Sequence, residues 1–272
     1  MKVLMEMFSY PFLVRAFIVG ILVSLCASLL GTSLVLKRYS MIGDGLSHVG
    51  FAALAIAYPL GLSPLYVSIP VCVIAAFIIL QIKDSSRIKG DAATALLCSG
   101  ALAVGVMTIS LTTGMNTDVC NYMFGSILAM SKADLYISII LSIVVLVLFV
   151  VFYNRIFAVT FDESFASATG LDTPFYNMIL ATLTAITVVL GMRMMGTLLI
   201  SSLIVFPAMT AMRVCRQFRT TILISALVSV SCFAIGLIFS YLYSVPTGAC
   251  IVIMDMIVFF TFWSIDRGRS RV

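Results

Sequence analysis

Long apolar blocks separated by short polar segments make up most of the chain. They lie at 12–36, 41–60, 64–82, 92–113, 134–154, 174–192, 196–212, 220–243 and 246–263. Because a helix needs about 20 apolar residues to cross a bilayer, the pattern predicts up to nine membrane-spanning helices. The block at 41–60 is the least regular, since Pro59, Gly61 and Pro64 crowd it against the next one. The segment 116–131 is intermediate in polarity, and we expect an interfacial helix or a re-entrant piece there.

Composition supports a membrane protein and excludes several other classes. Apolar residues make up 62% of the 272 residues and charged residues 10%, against about 25% charged in a soluble domain. The mean hydropathy is +1.20. A disordered chain and a nucleic-acid-binding domain, which needs a basic surface, are excluded, and a water-soluble enzyme is strongly disfavoured. The expected fold is all-α and polytopic, with about 8–9 transmembrane helices in a single transmembrane domain over 1–272.

The basic residues divide the ends of the blocks into two groups. Twelve of the 16 Lys and Arg residues follow alternate blocks and would share one face: Lys37, Arg38, Lys83, Arg87, Lys89, Arg155, Arg213, Arg216, Arg219, Arg267, Arg269 and Arg271. The positive-inside rule predicts that this face is cytoplasmic. The C-terminus would then lie inside and the N-terminus outside. Lys2 and Arg15 favour an eight-span or ten-span alternative with the N-terminus inside.

A carboxylate and an imidazole stand four residues apart in the segment GDGLSH, residues 43–48. Asp44 and His48, the only histidine of the chain, would share one face of a helix. Polar side chains inside a bilayer are costly, which makes them functional candidates. The pair suits a divalent ion such as Zn²⁺, Mn²⁺ or Fe²⁺. It suits a hydrogen-bonded pair that stabilises helix packing equally well. A metal site would need further ligands from water, backbone carbonyls or a second subunit.

The polar segment between the fifth and sixth blocks has the pattern of a short helix. Thr160 and Glu163 have the spacing of a capping box, and Gly170 fits the position after a helix end. We therefore expect a helix of about nine residues on the basic face, with Phe161 and Phe165 among its side chains. It would be either a simple connection or a docking knob for a cytoplasmic partner.

Two further polar or helix-breaking residues interrupt the apolar blocks. Pro207 removes a backbone donor, and Ser201, Ser202 and Thr210 are expected to satisfy the freed carbonyl. We interpret it as a packing kink. Asp255 lies in the middle of the last block with no charged partner nearby in sequence. It is expected to face the bundle interior, to be protonated, or to pair across helices.

Enzyme motifs are missing from the sequence. None of the five lysines lies in a GxxxxGK[ST] loop, so ATP hydrolysis by that route is excluded. There is no HExxH and no GxSxG. The seven cysteines, at positions 26, 72, 98, 120, 215, 232 and 250, are scattered and form no CxxC pair. We interpret them as small buried apolar side chains and predict no disulfide.

Five segments in order resemble a known family. They are VLKRYSMIGDGLSH (35–48), YMFGSIL (122–128), D-E-x-x-A-x-x-x-G (162–170), GTLLISSLIVFPAMTA (196–211) and VPTGACIV (245–252). Over 12–263 the chain resembles the permease subunit of bacterial zinc, manganese and iron ABC importers. It departs from the family pattern at Gly45, where Ala is usual, at Ser126, where Asp is frequent, and at Asp255, in a span that is usually apolar.

The resemblance implies a type II importer fold, similar to the vitamin B12 permease, in the bacterial plasma (inner) membrane. It implies a second permease copy, identical or related, two copies of a cytoplasmic ABC ATPase and an extracytoplasmic metal-binding protein. No cofactor would be bound permanently, because Zn²⁺, Mn²⁺ or Fe²⁺ would be the cargo. Asp44 and His48 match the metal-pathway pair. The helix that docks into the ATPase matches 161–170, with Phe161, Asp162, Glu163, Phe165, Ala166 and Gly170.

Two other functions compete with an ATP-driven permease. A secondary transporter driven by protons or sodium would use Asp44 and Asp255 as carriers. Such folds often contain internal repeats, and we find none in this sequence. A membrane-embedded enzyme would need a nucleophile with a base or a metal centre with several ligands. One histidine and scattered cysteines argue against it.

Overall fold

The computed structural model describes residues 9–85, 90–112 and 132–269, and all regular structure in these ranges is α-helical. We number the helices α1 to α11: Pro11–Leu36, Ile42–Ala57, Pro64–Ser85, Gly90–Leu111, Lys132–Val151, Tyr153–Phe161, Glu163–Ala168, Thr173–Met195, Thr197–Val214, Phe218–Tyr243 and Thr247–Arg269. The all-α prediction is confirmed. The expectation for 116–131, and Ser126 with it, lies outside the described residues.

The helices match the predicted blocks in position but not all in length. Within the described residues, seven helices are long and apolar enough to cross a membrane. An eighth span results if α5 and α6, whose axes differ by 69°, count as one bent span. The predicted span at 41–60 is the 16-residue helix α2. At 1.5 Å per residue it is about 24 Å long, shorter than a hydrocarbon core of about 30 Å. A multi-pass membrane protein is confirmed.

Helix α1 lies in the middle of the bundle and packs on α5, α8, α9 and α10. Its apolar core side chains include Val19, Val23 and Leu30, each at most 1% exposed. Two serines of α10 bind its backbone: Ser225 Oγ donates to Ser28 O at 3.3 Å and Ser229 Oγ to Ser24 O at 3.0 Å. Small side chains allow this close approach.

Glycines set how closely the short helix α2 lies to its neighbours. A Cβ added at Gly43 would lie 2.8 Å from Ile204 Cδ1 of α9, and one at Gly45 would lie 2.7 Å from Thr94 Cγ2 of α4. At Gly50 it would lie 2.8 Å from Met192 Cε of α8. The polar first turn of α2 is thereby held within the helix bundle.

The helix predicted between the fifth and sixth blocks exists but begins and ends differently. Thr160 does not cap it, because α6 continues through Thr160 to Phe161. Asp162 is the N-cap instead and accepts from Phe165 N at 2.8 Å, and α7 has six residues rather than about nine. The prediction for Gly170 is confirmed, since its φ is +86°. Gly170 N donates to Ser167 O at 3.0 Å, and the next amide donates to Ala166 O at 3.1 Å, as in a Schellman ending.

Helix α9 runs through Pro207 from Thr197 to Val214. The three hydroxyls expected to satisfy the carbonyl four residues before Pro207 do not reach it. Each donates to the carbonyl four residues before itself instead, at 3.1 Å for Ser201, 2.9 Å for Ser202 and 2.7 Å for Thr210. That prediction was wrong, because these short side chains bond within their own turns.

Candidate metal site between α2, α4 and α9

Asp44 and His48 lie on one face of α2, as their spacing predicted. Asp44 stands in the first turn of the helix, where free backbone N–H groups and the helix dipole favour a carboxylate. His48 follows one turn later, and its Nε2 lies 3.8 Å from Asp44 Oδ1. The two side chains therefore present an oxygen and a nitrogen donor close together.

A hydroxyl from α9 reaches the same carboxylate. Ser201 Oγ lies 3.4 Å from Asp44 Oδ1 and 3.1 Å from Thr197 O. A serine hydroxyl has one hydrogen to donate, and the shorter distance is to Thr197 O within its own helix. Ser201 therefore holds Asp44 Oδ1 only weakly.

A thiol from α4 completes the group. Cys98 Sγ lies 3.9 Å from Asp44 Oδ2, and one donor atom each from Asp44, His48 and Cys98 lie within 4.8 Å of one another. No other such group of three metal-binding side chains occurs in the described ranges. The interpretation of all cysteines as buried apolar side chains was wrong here, since Cys98 is partly exposed.

The three side chains form an open site. The Asp44 side chain is 38% exposed and that of His48 is 14% exposed. A structural metal site is closed by four protein ligands, whereas a site that exchanges its ion keeps positions open. Three donors with a partly exposed carboxylate fit the second kind.

Asp255 lies outside this group. Its side chain is 1% exposed in α11, and Cys232 of α10 is its polar neighbour. Neither carboxyl oxygen accepts a hydrogen bond of ordinary geometry from the described residues. It faces the bundle interior, one of the placements that the sequence left open. Pro207 lies on α9 six residues after Ser201 and contributes no donor.

The predicted docking residues divide into exposed and buried members. Phe161 is 58% exposed and Phe165 66% exposed, and Asp162 and Glu163 are exposed as well. Ala166, in contrast, is fully buried and packs with Val159 and Tyr176. It anchors α7 to the bundle, while the aromatic side chains project from it.

Comparisons with known proteins identify the family. The family model described as the ABC 3 transport family matches residues 9–265. The chain belongs to this family. The manganese import system permease protein ScaB of Streptococcus gordonii is 32% identical over 250 residues, 92% of this chain and 90% of that protein. A membrane protein of Haemophilus influenzae assigned to an iron transport system is 32% identical over 260 residues, 95% of this chain and 92% of that protein.

Solved structures agree with this membership. A chain of PsaBC from Streptococcus pneumoniae, in complex with Fab, superposes with a TM-score of 0.86 at 29% identity, over 96% of this chain and 94% of that one. A metal-chelate type ABC transporter in an inward-facing conformation superposes with a TM-score of 0.73 at 12% identity, over 93% of this chain and 85% of that one, which shows a common fold. The resemblance to metal ABC importer permeases is confirmed.

Proposed function

We propose that this chain is the permease subunit of an ATP-driven importer of divalent transition-metal ions in the bacterial plasma membrane. The observation that carries the proposal is the Asp44–His48 pair, with Nε2 and Oδ1 3.8 Å apart, in a chain of the ABC 3 transport family. Similar proteins are named for manganese and iron transport. An open carboxylate–imidazole site can accept Mn²⁺, Fe²⁺ or Zn²⁺ in transit and release it.

The exposed aromatic side chains where α6 meets α7 favour the docking of a separate ATPase subunit at this surface. Phe161 and Phe165 are more than half exposed, and large apolar side chains that project from a short helix suit insertion into a groove of a partner. We assign this surface, with Asp162 and Glu163, to the cytoplasmic ABC ATPase. The permease itself hydrolyses no ATP in this proposal.

Two observations suggest the subunits of the complete importer: the metal site of one chain is incomplete, and the chain belongs to the ABC 3 transport family. We propose two ATPase copies, a second permease copy and an extracytoplasmic metal-binding protein that delivers the ion. ATP binding and hydrolysis would move the docking helices and thereby alternate access to Asp44 and His48. Water or the second permease supplies the coordination positions that one chain leaves open.

Metal uptake by the complete importer tests the proposal. Cells that express this chain with its ATPase and binding protein are assayed with radioactive zinc, manganese and iron in competition. Asp44→Asn and His48→Ala are expected to abolish uptake at matched membrane expression, because each removes a metal donor. Asp255→Asn is the matched control, since it neutralises an acid that lies outside the donor group. Uptake that persists in both site variants would exclude the pair as the pathway.

ATP dependence is tested in the same system. An ATPase partner with its catalytic glutamate replaced should stop uptake by wild-type permease. ATP-independent uptake driven by a pH gradient would instead support the secondary transporter. Uptake of no metal at all by the wild-type importer would overturn the assignment of cargo.

A further inference from the structure

The donor group between α2 and α4 contains a sulfur atom as well as oxygen and nitrogen. Cys98 Sγ lies 3.9 Å from Asp44 Oδ2, and the three side chains offer donors within 4.8 Å of one another. Cys98 is partly exposed, as are Asp44 and His48. Cys26, Cys72 and Cys232 are buried, and Cys215 and Cys250 are partly exposed. Among these six cysteines that the structure describes, Cys98 alone belongs to a group of three possible metal donors.

The distances fit a common metal ion. In a tetrahedral zinc site, bonds of about 2.0–2.3 Å place neighbouring donors about 3.5 Å apart. His48 Nε2 lies 3.8 Å from Asp44 Oδ1 and Cys98 Sγ lies 3.9 Å from Asp44 Oδ2, each within a few tenths of an ångström of that value. All three donors lie within 4.8 Å of one another, so a bound ion would draw them closer together.

We infer that Cys98 is a third protein ligand to the transported ion and that it biases the site toward zinc over manganese. This inference rests on the proposed function. Thiolate is a soft ligand that favours Zn²⁺, whereas Mn²⁺ favours carboxylates, carbonyls and water. As the metal–sulfur bond forms, the thiol proton passes to water and the thiolate lone pair becomes the bonding pair. Asp44, His48 and Cys98 leave one tetrahedral position for water or for the second permease.

A hydrogen bond from the Cys98 thiol to Asp44 is the competing explanation of the same contact. In that case sulfur would only position the carboxylate. Loss of the thiol would then weaken binding of zinc and manganese alike. Direct ligation predicts instead that loss of the thiol weakens binding of Zn²⁺ much more than binding of Mn²⁺, because thiolate sulfur favours the softer ion.

Cobalt spectroscopy tests direct ligation. The full-length chain, in complex with its ATPase in lipid nanodiscs, is titrated with Co²⁺ alone, and the near-ultraviolet charge-transfer band of a cobalt–thiolate bond is measured. Wild type and Cys250→Ser should give the band, and Cys98→Ser should lose it. Cys250 is the matched control, since it is also partly exposed in an apolar helix and lies outside the donor group. A band that persists in Cys98→Ser, or that is absent in wild type, overturns the inference.

Direct affinity measurements test the metal preference. The affinity of the same complex for Zn²⁺, measured by titration calorimetry, should weaken at least about tenfold in Cys98→Ser, since even the loss of an outer-shell partner costs 10–100-fold. The affinity for Mn²⁺ should change much less. An equal loss for both ions would show a positioning role only and overturn the ligand assignment. Thermal unfolding of the metal-free variants, expected to be unchanged, separates either result from misfolding.

The two proposals fail in different ways. If Asp44→Asn abolishes uptake but Cys98→Ser leaves the zinc-to-manganese uptake ratio and the cobalt spectrum unchanged, the permease function stands and the inference is wrong. If the wild-type importer moves no metal but Cys98→Ser still removes the cobalt–thiolate band, the thiol ligand stands and the transport function is wrong.

Discussion

Lys37 and Glu163 form an ion pair that joins the end of α1 to the start of α7. Lys37 Nζ lies 3.7 Å from Glu163 Oε2, with the lysine side chain 6% exposed and the glutamate 47% exposed. Asn177 of α8 contacts both, since it accepts from Lys37 and donates to Glu163 Oε1 at 2.5 Å. The chain continues from Lys37 through a short turn into α2, which carries Asp44. The pair therefore links α7, the helix proposed to contact the ATPase, with α2, the helix that carries the candidate metal donors Asp44 and His48.

Glu163→Gln should loosen this link while leaving the fold intact. Because Glu163 is half-exposed, we expect an effect of about 0.5–1 kcal/mol, equivalent to about a twofold to fivefold loss in metal transported per ATP hydrolysed. Purified importer in liposomes measures both rates. Adding Lys37→Met to Glu163→Gln should cause little further loss of coupling, because the effects of removing two partners of one interaction are not additive. Two fully additive losses would show that the residues act independently.

Asp162 should control how firmly the docking helix forms. Asp162→Ala removes the N-cap that accepts from Phe165 N at 2.8 Å, at a cost of about 1 kcal/mol. A six-residue helix has few other bonds to compensate. We expect about a fivefold weaker affinity for the ATPase, measured by titration of ATPase onto permease in nanodiscs. Asp162→Ser keeps a capping oxygen and should retain most of the affinity, and an equal loss in both variants would point to a direct charge contact instead.

The parts of the structure that could be predicted are those encoded locally. Apolar length defines the spans, and a spacing of four places Asp44 and His48 on one face whenever the segment is helical. Gly170 was predictable because a helix ending in a left-handed residue favours glycine. Each of these inferences depends on residues within a few turns of each other.

The errors arose where distant segments meet or where two local signals compete. Cys98 is 54 residues from Asp44, and only the packing of α4 on α2 brings the two together. No spacing in the sequence encodes that contact. At Thr160 a capping box and a helical continuation were both compatible with the sequence. The apolar contacts of Val159 with Ala166 and Tyr176 stabilise the continuation.

The effect of Gly45→Ala on thermal stability should change sign when Thr94 is replaced by serine. In the wild-type background, Gly45→Ala places a Cβ 2.7 Å from Thr94 Cγ2, and overpacking of about 1–3 kcal/mol should exceed the helix-propensity gain of about 1 kcal/mol. Thr94→Ser removes the methyl group and keeps the hydroxyl. In that background Gly45→Ala should raise the thermal unfolding midpoint instead of lowering it. A stabilising effect of Gly45→Ala in the wild type would contradict the close contact between α2 and α4.

Asp255 should be dispensable for transport, which separates the permease from a proton-coupled transporter. It forms no ion pair among the described residues, and its buried carboxyl oxygens lack hydrogen-bond partners there. An unsatisfied buried polar group costs about 1–3 kcal/mol, so Asp255→Leu, similar in size, should raise the thermal unfolding midpoint. Asp255→Asn and Asp255→Leu should both keep ATP-driven uptake within about twofold of wild type, a change below about 0.5 kcal/mol. A proton carrier at this position would behave oppositely, because loss of the carboxyl would abolish uptake while leaving metal binding at Asp44 and His48 intact.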